Sequence, residues 1–328
     1  MEKHISCIGR FDLSNPEGPI FAWSGCTIKA RFRGRSLAAR IKPIKEEMDK
    51  NWMEVIVDGK VLSPIRIDRD RQYILAEGLH EGEHEVALVR RTEAFVGELQ
   101  FLGFVLPDGG QLLDPPEPSG RRIEFIGDSI TCGYGNESSR VEDGFQESQE
   151  NNYIAYGSIT ARNLKADAVT VAWSGKGMYR NYGGDTIEPI PELYDRTLPE
   201  RKDSQWDFKS WIPHAVVINL GTNDFAQPGL DHEAYQSAYR KMLHKVRSNY
   251  PDAHIFCCIG PIRCDPGEDI KRVVQDFRKQ GDCKIYYVEF PLQDVERDGI
   301  GGDWHPSAKT HERMAEQLTA EIRDKLGW

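Results

Sequence analysis

Positive charge is in short supply along this chain. Its 328 residues carry 42 lysines and arginines against 52 aspartates and glutamates, a formal net charge of −10. General affinity for nucleic acid rests on clustered Lys and Arg, and the pairs Arg121-Arg122 and Lys271-Arg272 are too short to make a basic patch. Long apolar runs are missing too: nothing approaches the ~20 residues that cross a bilayer. The opening Met1-Glu2-Lys3-His4-Ile5-Ser6-Cys7 lacks the apolar centre of a secretory leader. The seven cysteines are an odd number and none form a CxxC pair, which argues against both a disulfide framework and a zinc site. Gly133-Tyr134-Gly135 has neither the lysine nor the spacing of a phosphate loop. These absences lead us to expect a reduced, cytoplasmic protein with no nucleic-acid or membrane partner, no metal and no cofactor. A homo-oligomer is left open. The acceptor-like Asn136-Glu137-Ser138 carries no weight without a leader.

What is present falls into two parts, as a length beyond the roughly 100–150 residues of a common domain suggests. Residues 1–110 read as an N-terminal β-sandwich: alternating runs at Cys26–Phe32, Met53–Asp58, Glu85–Arg91 and Leu99–Val105 are separated by turn residues. Residues 111–120, containing Asp114-Pro115-Pro116-Glu117-Pro118-Ser119-Gly120, read as a stiff polar linker. From 121 to 328 the rhythm changes. Buried-looking strands at Ile123–Gly127, Ala168–Trp173, Ala215–Gly221, Ile255–Gly260 and Lys284–Phe290 alternate with helical stretches near Tyr153–Leu164, Leu230–Asn249, Glu268–Gln280 and Pro306–Leu326. This alternation predicts a doubly wound α/β domain with a parallel sheet, whose ligands bind at the carboxyl ends of the strands. Pro306 suits the first position of the last helix, and Cys257-Cys258 reads as core filling.

Three polar blocks follow predicted strands. Gly127-Asp128-Ser129 closes an apolar run and opens a helix, a turn that exposes a hydroxyl at a helix N-terminus. Gly221-Thr222-Asn223-Asp224 and Asp303-Trp304-His305-Pro306 follow later strands. A serine, an amide and a histidine beside an acid are the inventory of acyl transfer. Ser129 is the candidate nucleophile and His305 the base. Asp303 is the orienting acid, because residues two apart in an extended segment project to the same side. The oxyanion is assigned to the backbone of Ser129, to Gly175 in Trp173-Ser174-Gly175 and to the Asn223 amide. Each has a plainer reading: Ser129 as a helix cap, Asn223 as an Asx-turn, Gly175 as an ordinary turn. Tyr182, Arg180 and Trp304 lie beside these blocks and are candidate substrate contacts, aromatic rings with polar tips being suited to sugar faces.

These blocks resemble the SGNH (GDSL-type) hydrolase superfamily, with Ser129, Gly175, Asn223 and His305 at its four signature positions. Together with the N-terminal β domain and the segments Met178–Gly184 and Glu192–Arg196, the chain is more narrowly similar to carbohydrate esterase family 2. The resemblance implies a flavodoxin-like three-layer α/β/α domain behind a jelly-roll. It also implies a metal-free serine esterase acting on a small acetylated saccharide. Asp303-Trp304-His305 departs from the Asp-x-x-His spacing common in the superfamily, and some family 2 enzymes use a backbone carbonyl instead of an acid. The absent leader suggests short acetylated oligosaccharides taken into the cell. Two other readings stay open, a broader GDSL-type lipase or thioesterase and a non-catalytic sugar-binding protein.

Overall fold

The computed structural model describes residues 4–45 and 50–328, so the first three residues of the N-terminal stretch read for a leader lie outside it. The chain divides into two compact units, Met1–Pro118 with Arg196–Gln205, and Ser119–Asp195 with Trp206–Trp328.

The first unit is an antiparallel β-sandwich. In one sheet, Thr27–Arg33 lies between Ile5–Ile8 and Glu83–Arg90, and Glu83–Arg90 pairs onward with Asn51–Val57. Strand alternation does the sorting here: Ile28, Ala30 and Phe32 are fully buried while Lys29 and Arg31 between them are not. The second sheet centres on Leu99–Val105, flanked by Ile20–Phe21 and Leu37–Pro43. Two features had no signal in the sequence. Gln111–Leu113, read as the start of a linker, forms a short strand against Thr27–Arg33. The polar segment Arg196–Gln205 belongs to this unit, held by the Arg10 guanidinium donating to the Arg196 carbonyl at 3.0 Å and by the Arg201–Glu98 ion pair.

The second unit carries a five-stranded, wholly parallel sheet in the order Asp167–Ala172, Arg122–Gly127, Ala215–Asn219, His254–Ile259, Ile285–Glu289. All five residues of Ala215–Asn219 are buried, as a strand covered on both faces requires. Ile123, Phe125, Val217, Phe256 and Cys258 pack against Tyr156, Met314, Leu318 and Ile322 from the helices Tyr156–Asn163 and Ala308–Leu326. The alternate residues Ile126, Val216, Ile218 and Cys257 are equally buried, and the helices His232–Asn249 and Gly267–Lys279 pack together as a second pair. Burial pushes the Cys257 thiol up to about 12, which makes it inert filling. The last helix begins two residues later than expected. Ser307, not Pro306, is its boundary: the Ser307 hydroxyl accepts from the Thr310 N–H at 3.2 Å, and Ala308 is the first helical residue. Among the described residues no helix is long and apolar enough to cross a membrane.

In this strand order the first strand has the second on one side and the third on the other. The chain reverses direction of travel there, and the crevice opens at the carboxyl ends. Ser129, Gly175 and Asn223 each follow one of these three strands.

Candidate active site

The strand Arg122–Gly127 gives way to a single helical turn, Ser129–Cys132. Asp128 makes the turn: its Oδ1 accepts from the Ile130 N–H at 3.0 Å. Gly127 is required because a Cβ there would fall 2.0 Å from the Thr131 hydroxyl. The cap is therefore supplied by Asp128, which leaves the Ser129 hydroxyl uncommitted to the helix. It lies 2.9 Å from the His305 Nε2. A nucleophile and base within hydrogen-bond reach is the arrangement that activates a serine.

His305 is half-buried, and burial lowers its pKa below the ordinary 6.5, with the Asp303 and Gly302 carbonyls and the Asp303 charge pulling back in part. The imidazole is thus neutral at neutral pH, the state a general base requires. The partner of its Nδ1 differs from the sequence expectation. Nδ1 lies 3.0 Å from the main-chain oxygen of Asp303 and 3.2 Å from that of Gly302. The Asp303 carboxylate is exposed and accepts instead from the Tyr134 hydroxyl at 3.4 Å. The reason is backbone conformation. Asp303 and Trp304 both adopt left-handed dihedrals, φ 52° and φ 62°, so the same-side rule for an extended segment does not apply. The turn aims carbonyls at the imidazole and sends the carboxylate outward. Left-handed non-glycine residues are costly and concentrate at functional sites.

The three groups expected to meet an oxyanion stand on three loops. Gly175 has φ 78°, and its carbonyl accepts from the Tyr182 N–H at 2.8 Å. Neither the Ser129 nor the Gly175 N–H donates to another described residue. The Asn223 amide gives one hydrogen to the Lys176 carbonyl at 2.8 Å, and its contact with Asp128 is a long 3.4 Å. An amide has two hydrogens, so one fixes the Gly175 loop and the other makes the longer contact with Asp128.

Arg180 is the second departure. The sequence reading makes it a substrate contact, but its guanidinium is spent on the Asp224, Gln227 and Pro228 carbonyls, and the side chain is buried. It ties the loop after Gly175 to the loop that carries Asn223. Asp224, adjacent to Asn223, was not singled out as a site residue. It is fully buried and accepts from the Met178, Tyr179 and Arg180 N–H groups at 2.7–2.9 Å. Burial raises its pKa while these bonds hold it down. The aspartate in Gly-Thr-Asn-Asp was the only available signal for this role. Tyr182 and Trp304 are 61% and 63% exposed, which keeps both accessible to a ligand. Trp304 is anchored through its carbonyl, which accepts from the Gln293 amide at 3.0 Å.

Tyr134 also escaped the sequence reading. Its ring stacks on the His305 imidazole with centroids 4.1 Å apart and planes at 28°. Asn136 of the acceptor-like triplet is buried, and its amide clamps the Asn151 backbone from both sides, at 2.9 and 3.1 Å. It is structural.

Residues 7–116 match the family described as Carbohydrate esterase 2 N-terminal, and residues 123–318 match GDSL-like Lipase/Acylhydrolase. The chain is 49% identical over 326 residues to the Cellulase/esterase CelE of Acetivibrio thermocellus, covering 98% of this chain but only 39% of that protein. It is 31% identical over 329 residues to an acetylxylan esterase / glucomannan deacetylase of Cellvibrio japonicus, covering 96% of this chain and 88% of that one. A solved family two carbohydrate esterase from Clostridium thermocellum, in complex with cellohexaose, superposes with a TM-score of 0.95 at 47% identity, covering 99% of each chain.

Proposed function

Since the chain belongs to carbohydrate esterase family 2, we propose that it removes O-acetyl groups from acetylated oligosaccharides through an acyl-enzyme. The observation that carries this reading is the 2.9 Å contact between Ser129 Oγ and His305 Nε2 at the carboxyl end of a parallel sheet. In acylation, His305 Nε2 takes the hydroxyl proton as Ser129 Oγ bonds to the acetyl carbon. The carbonyl oxygen gains the negative charge and is met by the Ser129 and Gly175 N–H groups and the Asn223 amide. Collapse breaks the bond to the sugar oxygen, which leaves with the proton from Nε2. Water then repeats the sequence on the acetyl-serine and releases acetate. Every proton moved returns through one nitrogen.

Acetyl as the acyl group is supported by the packing around the donors. Asp224 and Arg180 tie the loop after Gly175 to the loop of Asn223, which favours a small acyl group. A sugar leaving group is supported by the exposed Tyr182 and Trp304 rings and by the substrates named for the relatives. Rates with p-nitrophenyl acetate, butyrate and octanoate test the first point. We expect kcat/KM for acetate to exceed that for octanoate by at least ~100-fold, since a few methylenes without a pocket forfeit about 1–3 kcal/mol each. Equal or faster octanoate hydrolysis would move the protein to the lipase or thioesterase class. Acetate release from acetylated xylo-oligosaccharides and glucomannan tests the second.

A further inference from the structure

We infer that Tyr134 is a positioning residue for the general base, setting the separation of Ser129 and His305 through its backbone and its ring together. The inference rests on the esterase reading of Ser129 and His305. The Tyr134 N–H donates to the Ser129 carbonyl at 3.1 Å, and the Gly133 N–H donates to the same oxygen at 3.0 Å. On the far side, the Gly135 carbonyl accepts from the Gly302 N–H at 3.0 Å, so residues 133–135 bridge the serine turn and the histidine loop. That bridge is a close backbone crossing: a Cβ on Gly135 would lie 3.0 Å from the Gly302 nitrogen. From the middle of the bridge the Tyr134 ring covers one face of the imidazole. The ring is itself backed by Phe145, with centroids 5.2 Å apart.

The consequence is steric and electrostatic. Nδ1 is held only by carbonyls, at 3.0 and 3.2 Å, and Nε2 by a hydroxyl that must move in the reaction. Rotation of the imidazole about its stem would break both contacts at once, and the stacked ring blocks that rotation. When Nε2 takes the Ser129 proton, the ring also faces a new cation, and aromatic faces attract cations. The Tyr134 hydroxyl is a lesser part, because its contact with Asp303 is long at 3.4 Å.

Three variants separate these parts. Tyr134→Leu removes the flat face, Tyr134→Phe removes only the hydroxyl, and Tyr134→Trp keeps a flat face of another size. Each is measured for kcat and KM on p-nitrophenyl acetate, for the rate of Ser129 labelling by a fluorophosphonate, and for thermal melting. We expect Tyr134→Leu to lower kcat by about 10- to 100-fold with KM within about twofold, since a misplaced catalytic group costs on the order of 10²-fold. Labelling should slow by a similar factor, while Tyr134→Phe and Tyr134→Trp stay within about threefold of wild type. Wild-type rates for Tyr134→Leu would overturn the inference, as would a rise in KM at constant kcat, which marks a sugar platform. If Tyr134→Leu does not fold, a more than tenfold loss for Tyr134→Phe with unchanged melting overturns it equally. Labelling needs no acetyl substrate. A wild-type protein that labels but does not hydrolyse acetyl esters therefore defeats the proposed substrate and leaves the role of Tyr134 still measured.

Discussion

Ser129→Ala should abolish turnover of an acetyl ester and leave the fold untouched. Removing the nucleophile of a serine hydrolase lowers kcat by on the order of 10⁴-fold or more, equivalent to ~5 kcal/mol of barrier. The fold survives because the turn does not depend on this hydroxyl. Asp128 caps it, Gly127 allows it, and the one described side-chain contact of Ser129 is with His305. The check is steady-state hydrolysis of p-nitrophenyl acetate beside a thermal melt, with fluorophosphonate labelling of both proteins. A variant that keeps wild-type turnover, or that still labels at another residue, would remove Ser129 from the mechanism. A variant that loses turnover only because it no longer melts cooperatively would leave the assignment without support.

The second large effect is a contrast between neighbours. His305→Ala should lose activity about as completely as Ser129→Ala, since no other described group reaches the serine oxygen. Asp303→Ala should lose less than about tenfold, or ~1.4 kcal/mol of transition-state stabilisation. The difference follows from which atoms of Asp303 face the ring: its main-chain oxygen survives the substitution, and its carboxylate points to Tyr134. Alanine in a left-handed position is strained, so Asp303→Asn, which tolerates that conformation better, serves as the companion variant and should be at least as active. A collapse of both variants toward the level of His305→Ala would restore the carboxylate as orienting acid.

Much of the catalytic unit was legible because its strands are short apolar runs, several of them closed by glycine, set between helical stretches. Ser129, Gly175 and Asn223 were findable because each stands immediately after such a run. Misreadings came where a residue's role depends on partners distant in sequence. Arg180 looked like a surface cation beside aromatics, yet its partners are carbonyls more than forty positions on. Asp224 was hidden behind the more chemical Asn223. Asp303 was placed by a rule for extended chain, and nothing in Gly-Asp-Trp-His announces two successive left-handed residues. Tyr134 carried no signal at all, because stacking on a residue far along the chain leaves no trace in local pattern. In the β-sandwich, the alternating strands were readable. The polar excursion Arg196–Gln205 was not, for it has neither period nor apolar face.

The left-handed turn at Asp303 and Trp304 also decides how many protons the reaction counts. A carboxylate beside the imidazole would itself titrate in acid and add a second ionisation to the activity profile. A peptide oxygen takes up no proton at any pH the protein tolerates. Acidification should therefore switch the enzyme off first through His305, with the buried Asp224 carboxyl, whose pKa burial raises, as the other acid whose protonation would disturb these loops. Activity falls as Nε2 becomes protonated, the logarithm of kcat/KM descending with a slope of one, and the midpoint lies below 6.5 because burial disfavours the charged ring. A slope approaching two would reveal a second acid acting with the base.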